Sequence, residues 1–264
     1  MPPRLNASQS LPKPGYVSAN GAGCGSQGVA CYSLIMDELS RRYQAVCERI
    51  TQAQVQSGRK PHSVQLLAVS KTFSAKQVAA VAALGQRDFG ENYVQEGVDK
   101  IAALQGVAGL VWHCIGPLQS NKTRLVAEHF DWVHSVDRLK IAQRLSEQRP
   151  VHLPPLQVCL QVNIDGGPTK AGVAPADALA LAQAVAALPR LALRGLMTIP
   201  DPVTGFDAQV ALHAQAKRLF DELHGALGLP HFDTLSMGMS ADLEAAVQAG
   251  STLVRVGTAV FGAR

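Results

Sequence analysis

The residue with the clearest chemical potential is Lys71, which follows an apolar run closely. Residues 66–69 read Leu-Leu-Ala-Val, which is typical of a buried strand, so Lys71 is predicted to project from the carboxyl end of that strand. A lysine amine that is partly removed from water there is a competent nucleophile towards an aldehyde. The alternative is a structural lysine at the rim that pairs with Glu91, and Lys71 alone does not decide between the two.

Two glycine-containing segments near the end of the chain indicate an anion site. Residues 236–240 read Ser-Met-Gly-Met-Ser, and residues 255–262 read Arg-Val-Gly-Thr-Ala-Val-Phe-Gly. Glycine lets the backbone approach an anion, so the amides of Gly257 and Thr258 and the hydroxyl of Ser240 would point at phosphate oxygens. Two tight packing turns are the alternative. Their occurrence after two consecutive strands favours phosphate.

Short β-like runs alternate with longer helical runs, and these elements must position the candidate groups. The predicted strands are 66–70, 88–91, 111–116, 132–136, 156–164, 193–199, 234–237 and 253–256. An amphipathic helix is predicted at 33–55, and further helices near 75–84, 93–104, 121–128, 137–148, 176–188, 207–227 and 241–249. Ser74 followed by Gln77 is a typical helix start.

The order of these elements predicts an α/β fold, a single closed (β/α)8 barrel of the TIM type. Strict alternation with short loops implies a parallel sheet, and eight such units fit a closed barrel. The helix at 33–55 would complete the outer layer. A doubly wound open sheet is the alternative, but the dinucleotide fingerprint GxGxxG is absent after the first strand. Function in such barrels lies at the carboxyl ends of the strands, where Lys71, Asn92, Ser240 and Arg255 fall.

The composition restricts the class of protein. The chain has 264 residues, of which 17% are charged, and its net charge of +4 is not concentrated in any basic run. No nucleic-acid partner is therefore predicted. Five cysteines without a CxxC pair, and histidines without HExxH spacing, predict no disulfide framework, no metal site and a cytoplasmic location. No apolar run approaches the roughly 20 residues that cross a bilayer, so no membrane association is predicted.

Residues 1–32 are predicted to be a disordered extension that precedes the barrel domain at 33–264. They are rich in Pro, Gly, Ser and Asn, and they lack the apolar stretch of a secretory signal. An organelle transit peptide is an alternative, weakened by only two basic residues, Arg4 and Lys13. Met36 stands where the helical periodicity begins and is an alternative start of the chain.

Two histidines fall within predicted strands, His113 and His134. Both are predicted to be hydrogen-bonded core residues and not proton shuttles. Cys114 and Cys159 alternate with apolar residues and are predicted to act as small core side chains.

Seven segments together resemble the pyridoxal 5′-phosphate (PLP) homeostasis proteins, whose barrel is similar to the N-terminal domain of alanine racemases (PLP fold type III). They lie within residues 33–264, and residues 1–32 have no counterpart. The segments are Ala68-Val-Ser-Lys-Thr72, Phe89-Gly-Glu-Asn-Tyr-Val-Gln-Glu96, Trp112-His-Cys-Ile-Gly-Pro-Leu-Gln-Ser-Asn-Lys122, His134-Ser-Val-Asp137, Gln161-Val-Asn-Ile164 with Lys170 and Gly172, Gly195-Leu-Met-Thr-Ile-Pro200, and Leu235-Ser-Met-Gly-Met-Ser-Ala-Asp242 with Arg255 to Gly262.

The resemblance implies that PLP is the cofactor and assigns residues to it. Lys71 would hold PLP as an imine, and Arg255 would face the pyridine nitrogen. The other residues implied to contact PLP are Ser240, Gly257 and Thr258 at the phosphate, Asn92 near the cofactor, and Met197 and Ser236 on the pocket wall.

Two functions are compatible with this resemblance, a PLP carrier and a PLP-dependent amino-acid racemase. Alanine racemases add a C-terminal β-domain that supplies a tyrosine as second base, and this chain ends just after strand eight. A permanent guanidinium at Arg255 disfavours protonation of the ring nitrogen and so weakens PLP as an electron sink, which argues against a transaminase and suits either of the two functions. The choice between them rests on the second base. We therefore expect a protein of intracellular PLP homeostasis with little or no amino-acid turnover, not an enzyme, and keep the racemase as the alternative.

A third function, a Schiff-base aldolase acting on a sugar phosphate, is permitted by the fold, but Glu91 is the only evident acid–base partner for Lys71. The expected partners of the carrier are PLP and apo PLP-dependent enzymes. The expected oligomeric state is a monomer.

Overall fold

Strands and helices alternate along the chain in the computed structural model, which describes residues 27–167 and 170–263. The strands are β1 (Gln65–Val69), β2 (Asp88–Glu91), β3 (Val111–Cys114), β4 (Trp132–Val136), β5 (Leu156–Val162), β6 (Leu191–Thr198), β7 (Thr234–Ser236) and β8 (Leu253–Val256). The helices are α1 (Gln27–Gln56), α2 (Ala75–Ala83), α3 (Val94–Ala103), α4 (Thr123–His129), α5 (Leu139–Gln148), α6 (Ala178–Ala186), α7 (Phe206–Leu227), α8 (Leu243–Gln248) and α9 (Thr258–Phe261).

The eight strands form a closed barrel in sequence order. Each strand is parallel to both neighbours, and β8 returns to pair with β1. The register of the closing pair runs from Gln65 opposite Leu253 to Ala68 opposite Val256. The predicted (β/α)8 barrel is thereby confirmed, and the doubly wound open sheet is wrong, because an open sheet has no pairing between its first and last strands.

The alternation of side chains along β1 separates two layers of core. Leu66 and Ala68 belong to the large apolar cluster between the strands and the surrounding helices. Leu67 and Val69 point the other way, and together with Ile115 and Leu253 they form a small apolar cluster inside the barrel. The strands are therefore covered on both faces, as parallel strands require.

Local sequence signals set several element ends. The Ser74 hydroxyl accepts from the Gln77 amide while the Gln77 side chain accepts from the Ser74 amide, a capping box that starts α2 as predicted. Gly228 adopts the left-handed conformation, with φ of 60°, that ends α7. Among the described residues, none of the helices combines the length and the apolarity of a membrane-spanning segment.

The start of α1 differs from the prediction. The helix begins at Gln27, six residues before the expected start at 33. Of the unit Met1–Ile35, residues 27–35 are described and are helical, while Met36–Arg264 form a second compact unit. Of the extension at 1–32 that is predicted to be disordered, residues 1–26 lie outside the described residues.

Gly195 marks the closest backbone approach in the barrel and yields a stability prediction. A Cβ atom there would lie 1.7 Å from the carbonyl oxygen of Thr234 on β7. Gly195→Ala would therefore force β6 and β7 apart, and we expect it to lower the free energy of unfolding by about 2–3 kcal/mol in urea denaturation.

The matched control is Gly225→Ala on α7, where an added Cβ meets no atom within 4 Å. Alanine is the better helix former, so this variant should gain about 0.5–1 kcal/mol. A Gly195→Ala protein as stable as the parent would contradict so close an approach of the two strands.

Candidate functional site

A cavity of about 500 Å³ opens at the carboxyl ends of the barrel strands. That volume suits a small-molecule ligand. Its described lining residues are Val69, Lys71, Asn92, Ile115, Ile199, Met239, Ser240, Ala241, Arg255, Gly257 and Thr258. The cavity therefore brings together six of the predicted site residues, which are Lys71, Asn92, Ser240, Arg255, Gly257 and Thr258.

Two further predicted residues, Met197 and Ser236, lie one layer behind this wall. Both are fully buried, and they are register partners on β6 and β7. Ser236 contacts Arg255, whereas Met197 fills space beside it in the barrel interior. They do not line the cavity as predicted. Residues that follow them along the chain, Ile199 and Met239, line it instead.

The apolar part of the wall was not predicted. Val69, Ile115, Ile199, Met239 and Ala241 supply it. Side-chain alternation could have identified two of them, since Val69 lies two residues after inward-facing Leu67, and Ile115 two residues after inward-facing His113. These side chains give the cavity a surface on which a flat ring can pack.

Lys71 is not paired with Glu91. The Glu91 carboxylate is fully buried, and its Oε1 atom accepts from Ser70 Oγ at 2.5 Å and from Lys100 Nζ at 2.7 Å. Lys71 lies on the cavity wall, with no carboxylate among the described residues within salt-bridge distance. The alternative interpretation of Lys71, a structural lysine that pairs with Glu91, is therefore wrong about the pairing.

Arg255 presents a fixed positive charge to the cavity from inside the barrel. Nη1 donates to the backbone oxygen and the hydroxyl of Ser236, both at 2.7 Å, and Nη2 donates to the Thr198 oxygen at 2.8 Å. Burial lowers the pKa of Arg255 to about 10, so the guanidinium keeps its charge at neutral pH. Three hydrogen bonds from one side chain leave it little freedom to turn.

A chain of hydrogen-bonded side chains continues from Arg255 across the barrel interior. Ser236 Oγ lies 3.0 Å from His134 Nδ1, His134 Nε2 lies 2.9 Å from His113 Nδ1, and His113 Nε2 lies 3.0 Å from Asp88 Oδ1. A carboxylate only accepts, so His113 donates to Asp88. With neutral imidazole rings, His134 then donates to His113 and Ser236 donates to His134. The prediction that both histidines are hydrogen-bonded core residues is confirmed.

The segment that carries Ser240 is held by contacts on both sides. The Met239 amide donates to Asp242 Oδ1 at 2.6 Å, and Asp242 Oδ2 binds His213 at 2.9 Å. Burial alone would raise the pKa of Asp242, but the hydrogen bonds from His213 and Met239 lower it below its ordinary value. Arg49 from α1 donates to the Ser240 oxygen at 3.0 Å. Ser240 thus faces the cavity from a fixed backbone.

The second anchor for an anion is the start of α9. Gly257 is the N-cap residue, and α9 begins at Thr258. The first amides of a helix have no acceptor within the helix, so they are available to an anion. An added Cβ on Gly257 would lie 3.1 Å from the Val69 oxygen, which explains glycine at this crossing.

The donor set fits PLP. An amine that can condense with an aldehyde, a wall of apolar side chains for a ring, a guanidinium, and a hydroxyl beside two backbone amides for a phosphate all face one cavity. The aldehyde, the ring, the ring nitrogen and the phosphate of PLP therefore each have a suitable partner on this wall.

Comparison with known proteins identifies the family. The sequence matches the alanine racemase N-terminal domain over residues 43–264. The pyridoxal phosphate homeostasis protein of Pseudomonas aeruginosa is 58% identical over 229 residues, which cover 87% of this chain and 97% of that protein. The solved structure of PipY from Synechococcus elongatus, with PLP bound, is 40% identical with a TM-score of 0.72, and the match covers 85% of this chain and all of PipY. The chain belongs to the pyridoxal phosphate homeostasis proteins.

Alanine racemase shares the fold alone. The enzyme from Corynebacterium glutamicum is 16% identical with a TM-score of 0.63, and the match covers 87% of this chain and 61% of the enzyme. The predicted similarity of the barrel to the racemase N-terminal domain is confirmed at the level of architecture.

The hydrogen-bonded side chains inside the barrel predict that the stability of the protein depends on pH. Burial, with His113 and Arg255 nearby, lowers the pKa of His134 well below its usual 6.5. Below pH 6.5 the unfolded chain gains a proton on His134 that the folded protein does not bind, so stability falls as the pH falls. We expect this residue to contribute a slope of up to about 1.4 kcal/mol per pH unit, measured by urea denaturation between pH 5 and 6.5.

His134→Gln should remove this part of the slope. His152→Gln removes an exposed imidazole outside the chain of hydrogen bonds and should leave the slope as in the parent. An unchanged slope in His134→Gln would show that the histidine does not stay neutral in the folded state.

Proposed function

We propose that this protein holds PLP on Lys71 as part of intracellular PLP homeostasis and turns over amino acids little or not at all. The observation that carries the proposal is the joint placement of Lys71, Arg255, Ser240 and the Gly257–Thr258 amides around one cavity. The name of the Pseudomonas aeruginosa relative and the PLP bound in PipY support the same conclusion.

Each residue has a proposed role. The unprotonated amine of Lys71 condenses with the aldehyde of PLP, forming a C=N bond and releasing one water. Ser240, Gly257 and Thr258 bind the phosphate, Arg255 faces the pyridine nitrogen, and Asn92 lies beside the cofactor. From the second layer, Ser236 orients Arg255, and Met197 fills the space beside Ser236.

Two features of the cavity favour holding over turnover. PLP supplies an electrophilic aldehyde and, when its ring nitrogen is protonated, an electron sink. The guanidinium of Arg255 opposes that protonation, which disfavours transamination but is compatible with the brief carbanion of a racemase. Racemisation also needs acid–base groups on both faces of the reacting carbon. Of the described residues that line the cavity, only Lys71 and Arg255 are ionisable. Tyr43 and Tyr93, the tyrosines considered as substitutes for the second base of a racemase, do not line it.

Three further parts of the proposal are predictions. Apo PLP-dependent enzymes are the proposed recipients of the cofactor, because a carrier of a reactive aldehyde needs a destination. The proposed location is the cytoplasm, and the proposed oligomeric state is a monomer.

Lys71→Ala tests the attachment. The variant should lose the visible imine absorbance of the purified or PLP-reconstituted protein while keeping its thermal unfolding temperature. Lys76→Ala, which removes an exposed lysine on α2, should keep the absorbance. Borohydride reduction and peptide mapping should place PLP on Lys71 in the parent. An unmodified Lys71 in a folded, PLP-saturated protein would overturn the proposed site.

Turnover is tested by incubating the PLP-loaded protein with single-enantiomer amino acids. We expect formation of the opposite enantiomer far below the rates of about 1–1000 s⁻¹ that are usual for enzymes. Racemisation within that range would establish the alternative, a PLP-dependent racemase, and would leave the Lys71 attachment intact.

A further inference from the structure

We propose that Lys100, Glu91 and Glu96 form a clamp that fixes the backbone on both sides of Lys71 and thereby positions its amine for attachment to PLP. This inference rests on the proposed function, because it concerns the residue that carries the cofactor. The three residues act through Lys71 and do not line the cavity, so they are positioning residues.

Lys100 is the centre of the clamp. Its Nζ atom donates to the Ser70 backbone oxygen at 2.6 Å, to Glu91 Oε1 at 2.7 Å and to Glu96 Oε1 at 2.7 Å. An ammonium group has three N–H donors, and all of them are used. The first of these bonds holds the peptide unit that directly precedes Lys71.

Glu96 holds the other side. Its Oε1 atom accepts a hydrogen bond from the Thr72 amide, which directly follows Lys71. Thr72 has a φ of 67°, a left-handed conformation that is costly for a β-branched residue. The bond to Glu96 therefore stabilises a backbone turn that threonine would not adopt unaided.

Glu91 joins the clamp to the barrel. It ends β2, it is fully buried, and it also accepts from the Ser70 hydroxyl at 2.5 Å. Glu96 and Lys100 lie one turn apart on α3. The cluster thus ties the end of β1 to β2 and α3, so the position of Lys71 is set by three elements at once.

The contribution of the clamp to folding stability does not explain why three charged side chains are placed next to residues 70–72. Lys100 is 6% exposed and Glu91 is not exposed at all. One oxygen of Glu91, Oε2, is buried without a hydrogen-bond partner among the described residues. Burial raises the pKa of Glu91. A buried ion cluster of this kind is a poor source of net stability compared with apolar packing, but it fixes one geometry. The geometry that it fixes is that of residues 70–72.

The clamp should affect the equilibrium between free PLP and PLP attached to Lys71. Lys71 has a long flexible side chain, and forming the C=N bond requires its amine at one point above the cavity floor. A backbone already held on both sides leaves only side-chain freedom to be lost on attachment. Release of the clamp should therefore weaken covalent attachment and leave the phosphate contacts unchanged.

The experiment is a double-mutant cycle of Glu96→Ala and Lys71→Ala in the full chain. PLP affinity is measured by absorbance titration where the imine forms and by equilibrium dialysis in all four proteins. Glu96→Ala should weaken PLP binding roughly tenfold in the presence of Lys71, as expected for loss of one hydrogen bond to a charged group. In the Lys71→Ala background it should change PLP affinity by less than about twofold.

Asp99→Ala is the matched control. Asp99 lies on the same helix, is exposed, and bonds only Gln95 among the described residues. It should leave PLP affinity and absorbance unchanged. Glu96→Gln, which keeps an acceptor for the Thr72 amide, should retain more affinity than Glu96→Ala. Thermal unfolding of the apo proteins checks that all of them fold, and Lys100 is left unsubstituted because its removal would strand Glu91.

Two results would overturn the clamp. One is unchanged PLP affinity in a folded Glu96→Ala protein. The other is an equal loss of affinity with and without Lys71, which would assign Glu96 to the shape of the cavity as a whole. Failure of the proposed function is separate, because it would appear in the parent protein as a missing imine absorbance.

Discussion

The pairing of β8 with β1 is the interaction on which the site depends. It closes the barrel with a register that sets Ala68 opposite Val256. Lys71 follows the first of these strands, and Gly257 and Thr258 follow the second, so groups from distant parts of the sequence reach one cavity. Arg255 stands on β8 itself and faces inward. In an open sheet with this same strand order, β1 and β8 would form opposite edges, and no ligand of the size of PLP could touch both.

Much of this arrangement is encoded locally. The alternation of strand-like and helical runs predicts the barrel, and the barrel brings every carboxyl strand end to one mouth, which is why six predicted residues meet there. The local pattern does not determine how deep a side chain lies below the cavity surface, or which charged side chains pair with each other. Met197 and Ser236 lie one layer too deep because strand ends and loops rise above them. Glu91 pairs with Lys100 from α3 and not with Lys71, a tertiary contact that the order of strands and helices does not specify.

The polar chain inside the barrel shows how a buried charge is accommodated. The guanidinium of Arg255 is surrounded by oxygen acceptors, and a run of hydrogen bonds through Ser236, His134 and His113 ends on the Asp88 carboxylate across the barrel. Each donor along the run has one acceptor, so no buried polar group of the run is unsatisfied. Because a guanidinium only donates, Ser236 accepts from Arg255 and holds the positive charge in place beside the cavity.

The wall of the cavity separates holding a cofactor from using it. Ile199 and Met239 line the cavity and are 41% and 38% exposed, so water has access to the groups they border. Enzymes that stabilise reactive intermediates usually close their sites against water. A carrier has the opposite requirement, because release of PLP from the proposed attachment at Lys71 would consume the water that its formation would produce. At the base of the cavity, Arg255 is held in place by three hydrogen bonds. At its entrance, Ile199 and Met239 are partly exposed to water. This combination suits reversible attachment of a cofactor better than catalysis.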